Sequence, residues 1–479
     1  MNFNMNFSRG DRILVRFAGS VQKCYICICA FLAVKTAGIF DYMNMKKTLT
    51  SIALTLIMVT SALAQTGTWS GRLTVQGMEL TLVFRIDGDT ATLDVPDQGA
   101  EDIPVAVERS SFGRIRLSIP TINASYDGLW TGKLITGTFI QHGVQFPLTL
   151  STGAPVPDRP QTPVGPFSYA DEEVAFSNGD AVLRGTLTMP EKCDRNTPVL
   201  IMVTGSGLQN RDEAMFGHKP FLVIADAFAR AGIATLRYDD RGFGESTGDV
   251  LSCTTEDFKN DALAGIRLLR RRFDHVGVLG HSEGGSIALM LAAEGNADFI
   301  ISLAGMVVSG AETLLEQNRR ALADAGIAQA DVDSYCRLLS DTYDAVKAGL
   351  PLPSPESHDL PEALKQNLIM ASRQLLTPYM RYFLAMDLAR ELGGITCPVM
   401  ALNGTMDVQV SCERNLDAIR NGLPATSEGG HKNVVKAEDG LNHLFQHCST
   451  GNPAEYKAIS ETFSPEVISE MVTWIKSLF

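Results

Sequence analysis

Two patterns of hydrophobic and polar residues follow one another along the chain. From about residue 66 to residue 150, apolar and polar residues alternate, as in "GRLTVQGMELTLVFRIDGDTATLDV", with turn residues between the alternating stretches. Alternation with a period of two is typical of strands that have one buried face. The pattern predicts a small antiparallel all-β domain over residues 65–152, with six or more strands arranged as a barrel or a sandwich.

The pattern changes after about residue 168. Short continuous apolar runs, such as "PVLIMVTG", "HVGVLGH" and "CPVMALNG", are separated by longer stretches with helical spacing. Buried strands that alternate with helices predict a mostly parallel sheet covered on both faces, so residues 168–479 are predicted to form an α/β domain. Ligands bind at the carboxyl ends of such strands, and the polar clusters of this region follow those ends.

Two further segments complete the predicted organisation. Five prolines between Pro155 and Pro166 predict a semi-rigid linker over residues 153–167. About ninety residues with helical spacing follow Met306, which predicts a helical cap over about 307–395. Four cap side chains either face an acyl pocket or attach the cap to the sheet, and the sequence leaves both alternatives open: Met370, Tyr379, Met380 and Phe383.

The N-terminal segment has the pattern of an export signal. Two lysines after Met45 precede an apolar stretch that ends with small residues at Ala64. This pattern predicts a leader over residues 1–64 that is cleaved after Ala64, with the true start at Met43 or Met45. The apolar stretch is short for a bilayer span, so we expect a periplasmic or secreted protein whose mature form has no integral membrane span.

Composition and charge narrow the classes of function. The formal net charge of −13 argues against a nucleic-acid-binding protein, which needs a basic face. The cysteines after the leader are widely and irregularly spaced, which is not a metal-ligand pattern. An oxidising compartment would permit a disulfide, but the sequence indicates no pairing. We therefore expect neither a metal nor a cofactor.

One short stretch carries the most specific chemistry. "GHSEG" from Gly280 to Gly284 fits G-x-S-x-G, and it stands between an apolar run and a stretch rich in alanine and leucine. This is the strand–turn–helix context of the nucleophile elbow in α/β-hydrolases, so Ser282 is the predicted nucleophile. A glycine-rich turn that only packs closely is the alternative. A serine hydroxyl needs a base and an acid that orients the base.

The order of catalytic residues in this fold narrows the search for both partners, because the acid follows the serine and the histidine follows the acid. Asp407 comes directly after the apolar run "CPVMALNG" and is the predicted acid. His443 lies in a predicted loop that leads into a short helix, and it is the predicted base. Glu438 and Asp439 are the alternative acids, and the other histidines after Asp407, His431 and His447, are expected at the surface.

The tetrahedral intermediate of acyl transfer needs hydrogen-bond donors for its oxyanion. One predicted donor is the backbone N–H of Glu283, the residue after the nucleophile. The second is expected in the loop "GSGLQNRDE", where Ser206 is the preferred residue and Gly207 the register-shifted alternative. Arg211 and Asp212 of the same loop are candidates for an ion pair.

The predicted α/β domain resembles bacterial α/β-hydrolases of the esterase D type, which are grouped near the serine-aminopeptidase-like hydrolases. This domain is called the hydrolase part below. The resemblance rests on "GSGLQNRDE", "LRYDDRGFGES", "GHSEGG", "LNGTMDVQV" and "GLNHLFQ". The β-region with "GTWSGRL" is similar to the leading domain that often accompanies such hydrolases. The resemblance implies that the family triad falls on Ser282, Asp407 and His443. Thr204 departs from the histidine that relatives often carry there, but the oxyanion donor is a backbone group.

These observations predict an exported serine carboxylesterase that hydrolyses small to medium acyl esters through an acyl-enzyme intermediate. The partner is a small-molecule ester. A serine aminopeptidase or dipeptidyl peptidase with the same triad is the first alternative, and it would need cap acids such as Glu312 and Glu316 to hold a substrate amine. A carbohydrate- or lipid-binding protein with an inert hydrolase domain is the second. The acyl chain, the alcohol, the role of the β-domain and a homodimer remain open.

Overall fold

The computed structural model describes residues 66–75, 78–98, 100–110, 113–141, 143–153, 159–425 and 429–479. The predicted leader over residues 1–64 and part of the predicted linker lie outside the described residues, so the cleavage after Ala64 stays a prediction. The described part of the chain contains no helix that is long and apolar enough to span a bilayer.

The N-terminal part is a closed antiparallel barrel of eight strands. Its alternating residues fill the barrel with side chains, among them Trp69, Phe84, Tyr126 and Phe139, while intervening residues face outward. The predicted all-β domain is confirmed, with the barrel as its architecture. The strands are β1 (Gly67–Val75), β2 (Met78–Asp87), β3 (Thr90–Val95), β4 (Ala100–Arg109), β5 (Arg114–Ile119), β6 (Ala124–Trp130), β7 (Leu134–Gln141) and β8 (Val144–Thr152).

The C-terminal part contains a second sheet of eight strands in the order β16-β15-β14-β13-β11-β12-β10-β9. The six strands from β11 to β16 pair in parallel, and the β9–β10 hairpin adds antiparallel strands at one edge. The predicted α/β-hydrolase fold is confirmed. The strands are β9 (Ala170–Asn178), β10 (Ala181–Met189), β11 (Val199–Val203), β12 (Ala234–Tyr238), β13 (Val276–His281), β14 (Ile300–Leu303), β15 (Val399–Gly404) and β16 (Val434–Glu438).

Helices cover both faces of this sheet. Strand β11 is apolar throughout because its side chains alternate between the two faces. Helices α1 (Pro220–Arg230) and α9 (Pro465–Leu478) cover one face, and Leu200 and Met202 pack in the core beneath them. Helices α2 (Thr255–Leu269), α3 (Glu283–Ala293) and α8 (Cys412–Gly422) cover the other face, and Val199, Ile201 and Val203 pack in the core beneath them.

Four helices between β14 and β15 form the predicted cap. They enclose a small apolar core of their own, which includes Tyr335, Leu339 and Leu368. The cap helices are α4 (Gly310–Asp324), α5 (Gln329–Ala348), α6 (Glu362–Leu375) and α7 (Pro378–Ala385). The predicted limits of the cap and of the two domains stay predictions.

The barrel and the hydrolase part contact each other through a short turn of the barrel. The N–H of Gly217 donates to the carbonyl of Pro96 at 3.2 Å, and Lys457 Nζ lies 2.9 Å from a carboxylate oxygen of Asp97. Arg159, in the predicted linker, donates to the carbonyls of Phe216 and Ile459. The chain after the barrel is thus tied to the same loops that the barrel contacts.

The cysteines of the described residues are free thiols, and no disulfide joins them. They are Cys193, Cys253, Cys336, Cys397, Cys412 and Cys448.

Candidate active site

Ser282 lies on a strained turn between β13 and α3. Its backbone has φ 54° and ψ −117°, a conformation that costs a non-glycine residue about 1–3 kcal/mol. The glycines beside it are required by space: a Cβ on Gly284 would lie 2.0 Å from the carbonyl oxygen of Val203, and one on Gly280 would lie 1.9 Å from that of Gly284. The turn raises Ser282 to the carboxyl edge of the sheet, where it is partly exposed.

Asp407 and His443 form a buried hydrogen-bonded pair. His443 Nδ1 lies 2.7 Å from Asp407 Oδ2, and the Asp407 side chain is fully buried. The other oxygen of Asp407 accepts the N–H groups of Gln409 and Val410 at 2.7 and 2.9 Å. Because the carboxylate accepts from Nδ1–H, a neutral His443 ring has Nε2 as its proton-accepting nitrogen.

His281, the residue before Ser282, connects the turn to this pair. Its Nε2 lies 2.9 Å from the carbonyl oxygen of His443, and its Nδ1 lies 2.9 Å from Glu213 Oε1. The carbonyl oxygen can only accept, so Nε2 carries a proton, and Nδ1 shares a proton with the Glu213 carboxyl group. Burial lowers the pKa of His281, but Glu213 and the His443 carbonyl outweigh it, and the pKa is raised above its ordinary value.

The predicted oxyanion loop follows β11 directly beside the turn. A Cβ on Gly205 would lie 3.2 Å from the Cβ of Ser282. The N–H of Gly205 is already donated to Glu213 Oε1 at 2.8 Å. The predicted donors Ser206 and Gly207 come next, and Gly207 has φ 92°. The other predicted donor, the N–H of Glu283, belongs to the first residue of α3, where N–H groups lack helical partners.

The side chain of Glu283 is buried and hydrogen-bonded to two other helices, which sequence reasoning did not predict. Its carboxylate accepts from Thr255 Oγ1 and from the Tyr379 hydroxyl, each at 2.6 Å. Burial raises the pKa of Glu283, and the hydrogen bonds from Thr255 and Tyr379 oppose that rise.

The four cap residues with two predicted roles differ in their environments. Met370 is 57 % exposed, so it neither lines a closed pocket nor attaches the cap. Met380 packs against the core of the cap itself. Tyr379 and Phe383 pack in the core beneath α2, α3 and α8, which attaches the cap to the sheet.

The predicted ion pair between Arg211 and Asp212 is wrong. Arg211 binds Asp239, Glu173 and Glu245, whereas Asp212 binds Arg237. Arg211 and Asp212 lie in a turn, and each side chain is bonded to residues of other segments instead of to its neighbour.

The alternative acids and bases lie in other surroundings. Asp439 accepts from the Thr405 hydroxyl at 3.2 Å, and Lys436 lies 3.0 Å from Glu438. His447 is exposed and contacts Glu461, and His431 is partly buried. Among the described residues, His447, Glu461 and Glu466 have ligand atoms close enough to one another to hold a metal ion, but this surface group is separate from Asp407 and His443.

The fold and these residues define a serine hydrolase with an α/β-hydrolase fold. Residues 220–426 match the family model described as serine aminopeptidase, S33. The chain is 26% identical over 340 residues to Esterase EstD of Thermotoga maritima. The aligned region covers 70% of this chain and 73% of the relative. The resemblance to the esterase D type is thereby confirmed.

Solved structures of similar fold include an esterase from Pyrococcus furiosus, with 14% identity and a TM-score of 0.41 over 68% of this chain and 99% of that chain. A proline iminopeptidase from Mycobacterium smegmatis has 15% identity and a TM-score of 0.38 over 64% of this chain and 98% of that chain. Est1E from Butyrivibrio proteoclasticus has 16% identity and a TM-score of 0.37 over 64% of this chain and 97% of that chain.

Proposed function

We propose that this protein is an exported serine carboxylesterase that hydrolyses small to medium acyl esters through an acyl-enzyme intermediate. The observation that carries the proposal is the buried His443–Asp407 pair beside the strained turn of Ser282. An orienting carboxylate, a histidine and a strained serine are the parts that acyl transfer by a serine hydroxyl needs.

In the proposed mechanism, His443 Nε2 takes the proton of Ser282 Oγ while the oxygen attacks the ester carbonyl. The N–H groups of Glu283 and Ser206 bind the oxyanion of the tetrahedral intermediate. When the intermediate collapses, the C–O bond to the alcohol breaks and His443 returns the proton to the leaving alkoxide. A water molecule, deprotonated by His443, then attacks the acyl-enzyme and releases the carboxylic acid and Ser282.

Two observations support ester over peptide substrates. The relative from Thermotoga maritima is named an esterase. The cap acids that a peptidase could use to bind a substrate amine already have a cationic partner: Glu312 and Glu316 lie 3.5 and 3.2 Å from the guanidinium of Arg414. The family description, serine aminopeptidase, supports an aminopeptidase as the second candidate.

The test compares the mature protein with Ser282→Ala on p-nitrophenyl esters of increasing chain length and on aminoacyl p-nitroanilides. We expect ester cleavage that falls at least about 10³-fold in the variant, because removal of the nucleophile leaves only binding and the oxyanion donors. Ser357→Ala, which changes an exposed serine of the cap, is the matched control and should retain full activity.

A separate expression experiment tests the export step. Expression of the full chain in a Gram-negative host should yield a periplasmic protein whose first residue is Gln65, checked by N-terminal sequencing.

Two outcomes of the activity test would contradict the esterase. Cleavage of anilides but not esters would establish the peptidase instead. A folded protein that cleaves neither substrate class would overturn the enzymatic proposal.

A further inference from the structure

One buried carboxyl oxygen, Oε1 of Glu213, bonds both to the predicted oxyanion loop and to His281. It accepts the N–H of Gly205 at 2.8 Å and lies 2.9 Å from His281 Nδ1. Only 1 % of Glu213 is exposed. Because Gly205 directly precedes the predicted oxyanion donor Ser206, the bond from Glu213 fixes where the oxyanion loop starts.

The other nitrogen of the His281 ring bonds to the backbone of the predicted base. His281 Nε2 lies 2.9 Å from the carbonyl oxygen of His443, and the two imidazole rings have their centroids 4.8 Å apart. His281 is buried and directly precedes Ser282. Its ring therefore joins three parts of the site: the start of the oxyanion loop, the turn of the nucleophile and the backbone of the base.

The hydrogen bonds of this pair require a carboxyl group and an imidazole together. An amide at position 213 could accept the N–H of Gly205 through its oxygen, but a neutral His281 ring that donates from Nδ1 has no proton on Nε2 for the His443 carbonyl. An amide nitrogen in the same place could donate to Nδ1, but it would then face the N–H of Gly205. With a neutral ring, an amide thus leaves one of the three bonds unmade.

We propose that Glu213 and His281 are positioning residues that couple the oxyanion loop to the base: one hydrogen-bonded chain runs from the N–H of Gly205 through these two side chains to the carbonyl of His443. The inference rests on the proposed function, because it assigns the loop an oxyanion to bind and His443 a proton to take. Both side chains are buried, so they act through the groups that they hold.

The consequence for catalysis follows from when the held groups are needed. The oxyanion donor and the base act on charge that develops in the transition state, so their displacement weakens transition-state binding more than substrate binding. Loss of either link should therefore lower kcat and leave KM nearly unchanged. A buried pair that only stabilised the fold would lower the free energy of unfolding without this split between kcat and KM.

The chain offers a matched control in another buried carboxylate. Asp97 also accepts a backbone N–H, that of Thr81, and also bonds to a basic side chain, with Lys457 Nζ at 2.9 Å. These partners belong neither to the oxyanion loop nor to the Asp407–His443 pair. Glu213→Gln and Asp97→Asn thus make the same chemical change at a buried carboxylate, and only the first interrupts the proposed chain.

The first experiment measures steady-state kinetics on a p-nitrophenyl ester, with circular dichroism to establish that each variant is folded. In Glu213→Gln and in His281→Gln we expect kcat to fall about 10- to 100-fold and KM to stay within about threefold, because misplaced catalytic groups cost this much. The double variant should lose little more than the more impaired single variant, since either change already interrupts the chain. Asp97→Asn should keep kcat within about twofold of the parent protein, as distant sites act independently.

The second experiment measures amide hydrogen exchange in residues 203–210 and 441–447, with β5 of the barrel as the reference. In Glu213→Gln, exchange should accelerate about tenfold in both segments and stay unchanged in β5, because the second segment is reached from Glu213 through His281. His281→Asn is the smaller change: it keeps a donor near the position of Nδ1 and loses the bond to His443. It should also accelerate exchange in both segments, and it decides the question if Glu213→Gln does not fold.

Three results would overturn the coupling: parent-like kcat in the folded variants, an equal fall of kcat in Asp97→Asn, or accelerated exchange confined to the segment that lost its partner. The two proposals fail separately, because exchange needs no substrate. Acceleration in both segments without ester cleavage by the parent protein supports the coupling and rejects the esterase. Ester cleavage with acceleration in one segment rejects the coupling alone.

Discussion

At the scale of single residues, the turn at Ser282 depends on backbone atoms that leave no room for side chains. Ser282 has a positive φ, and the first turn of α3 lies against the end of β11. Gly284 faces the carbonyl oxygens of Val203 and Thr204, which a Cβ would approach to 2.0 and 2.6 Å. A backbone carbonyl cannot rotate away as a flexible side chain can, so the space is fixed by the sheet.

Gly284→Ala should therefore destabilise the protein and displace the nucleophile. We expect a loss of about 2–3 kcal/mol in the free energy of unfolding, because overpacking against rigid groups costs this much, and at least a tenfold loss of activity. Urea unfolding monitored by fluorescence measures the first effect. Gly393→Ala is the control, since its Cβ would come no closer than 3.9 Å to a neighbouring atom, and equal losses in the two variants would contradict the steric argument.

Sequence reasoning predicts the three candidate catalytic residues but not the side chains that hold the buried groups of the site in place. Ser282, Asp407 and His443 were selected because a motif, a strand end and the order along the chain each leave few candidates. The partners of the buried groups could not be selected in this way. Glu213 bonds to a histidine 68 residues away, and Tyr379 to a carboxylate 96 residues away, and no local pattern encodes such a contact.

At the scale of elements, a buried histidine joins the loop after β11 to the segment before α9. His218 is 1 % exposed. Its Nε2 lies 3.0 Å from the carbonyl oxygen of Tyr456, and its Nδ1 lies 2.9 Å from Thr462 Oγ1. The carbonyl can only accept, so Nε2 carries a proton, and the threonine hydroxyl can donate to Nδ1 when the ring is neutral. The ring is neutral in this arrangement.

His218 should make stability depend on pH. Burial lowers the pKa of His218 to about 4, whereas an unfolded histidine titrates near 6.5. Between these values the unfolded state binds a proton that the folded state does not, so the free energy of unfolding falls as the pH falls, by up to about 3 kcal/mol for this residue. In His218→Gln the loss between pH 7 and pH 4 should be smaller by about that amount.

Urea unfolding at several pH values in this range measures the difference. His447→Gln, which changes an exposed histidine, should follow the parent protein closely. Parallel curves for His218→Gln and the parent protein would show that another group causes the acid sensitivity.

Elements were predicted well where packing alone decides them and poorly where side chains compete with the backbone. The runs that became β11, β13 and β15 are apolar because both of their faces are buried. The short helix predicted after His443 is wrong: residues 441–447 form a turn closed by a bridge between Leu441 and His447. Asn442 Oδ1 accepts the N–H groups of Leu444 and Gln446, and such local bonds offer the backbone an alternative to a helix.

At the scale of the whole molecule, closure of the barrel and its attachment to the hydrolase part both depend on distant pairings. The alternating pattern predicted strands but could not distinguish a barrel from a sandwich, because the distinction rests on β1 pairing with β8, as in Ser70 with Ser151. The attachment depends on the turn Pro96–Gln98, and nothing in its sequence "PDQ" indicates a contact with another part of the chain. Asp97 of this turn is buried, with 3 % of its side chain exposed.

Asp97 connects the barrel to the hydrolase part by accepting from both. Within the barrel it accepts the N–H of Thr81, and from the hydrolase part it binds Lys457 Nζ at 2.9 Å. Asp97→Ala leaves the N–H of the buried Thr81 without its partner, which costs about 1–3 kcal/mol, so calorimetry should show a lower unfolding temperature. Asp97→Asn retains an acceptor for that N–H and should lose less. Asp127→Ala removes an exposed partner 3.7 Å from Arg116 and should change stability by less than about 0.5 kcal/mol; a comparable loss there would mean that the attachment does not depend on the buried carboxylate.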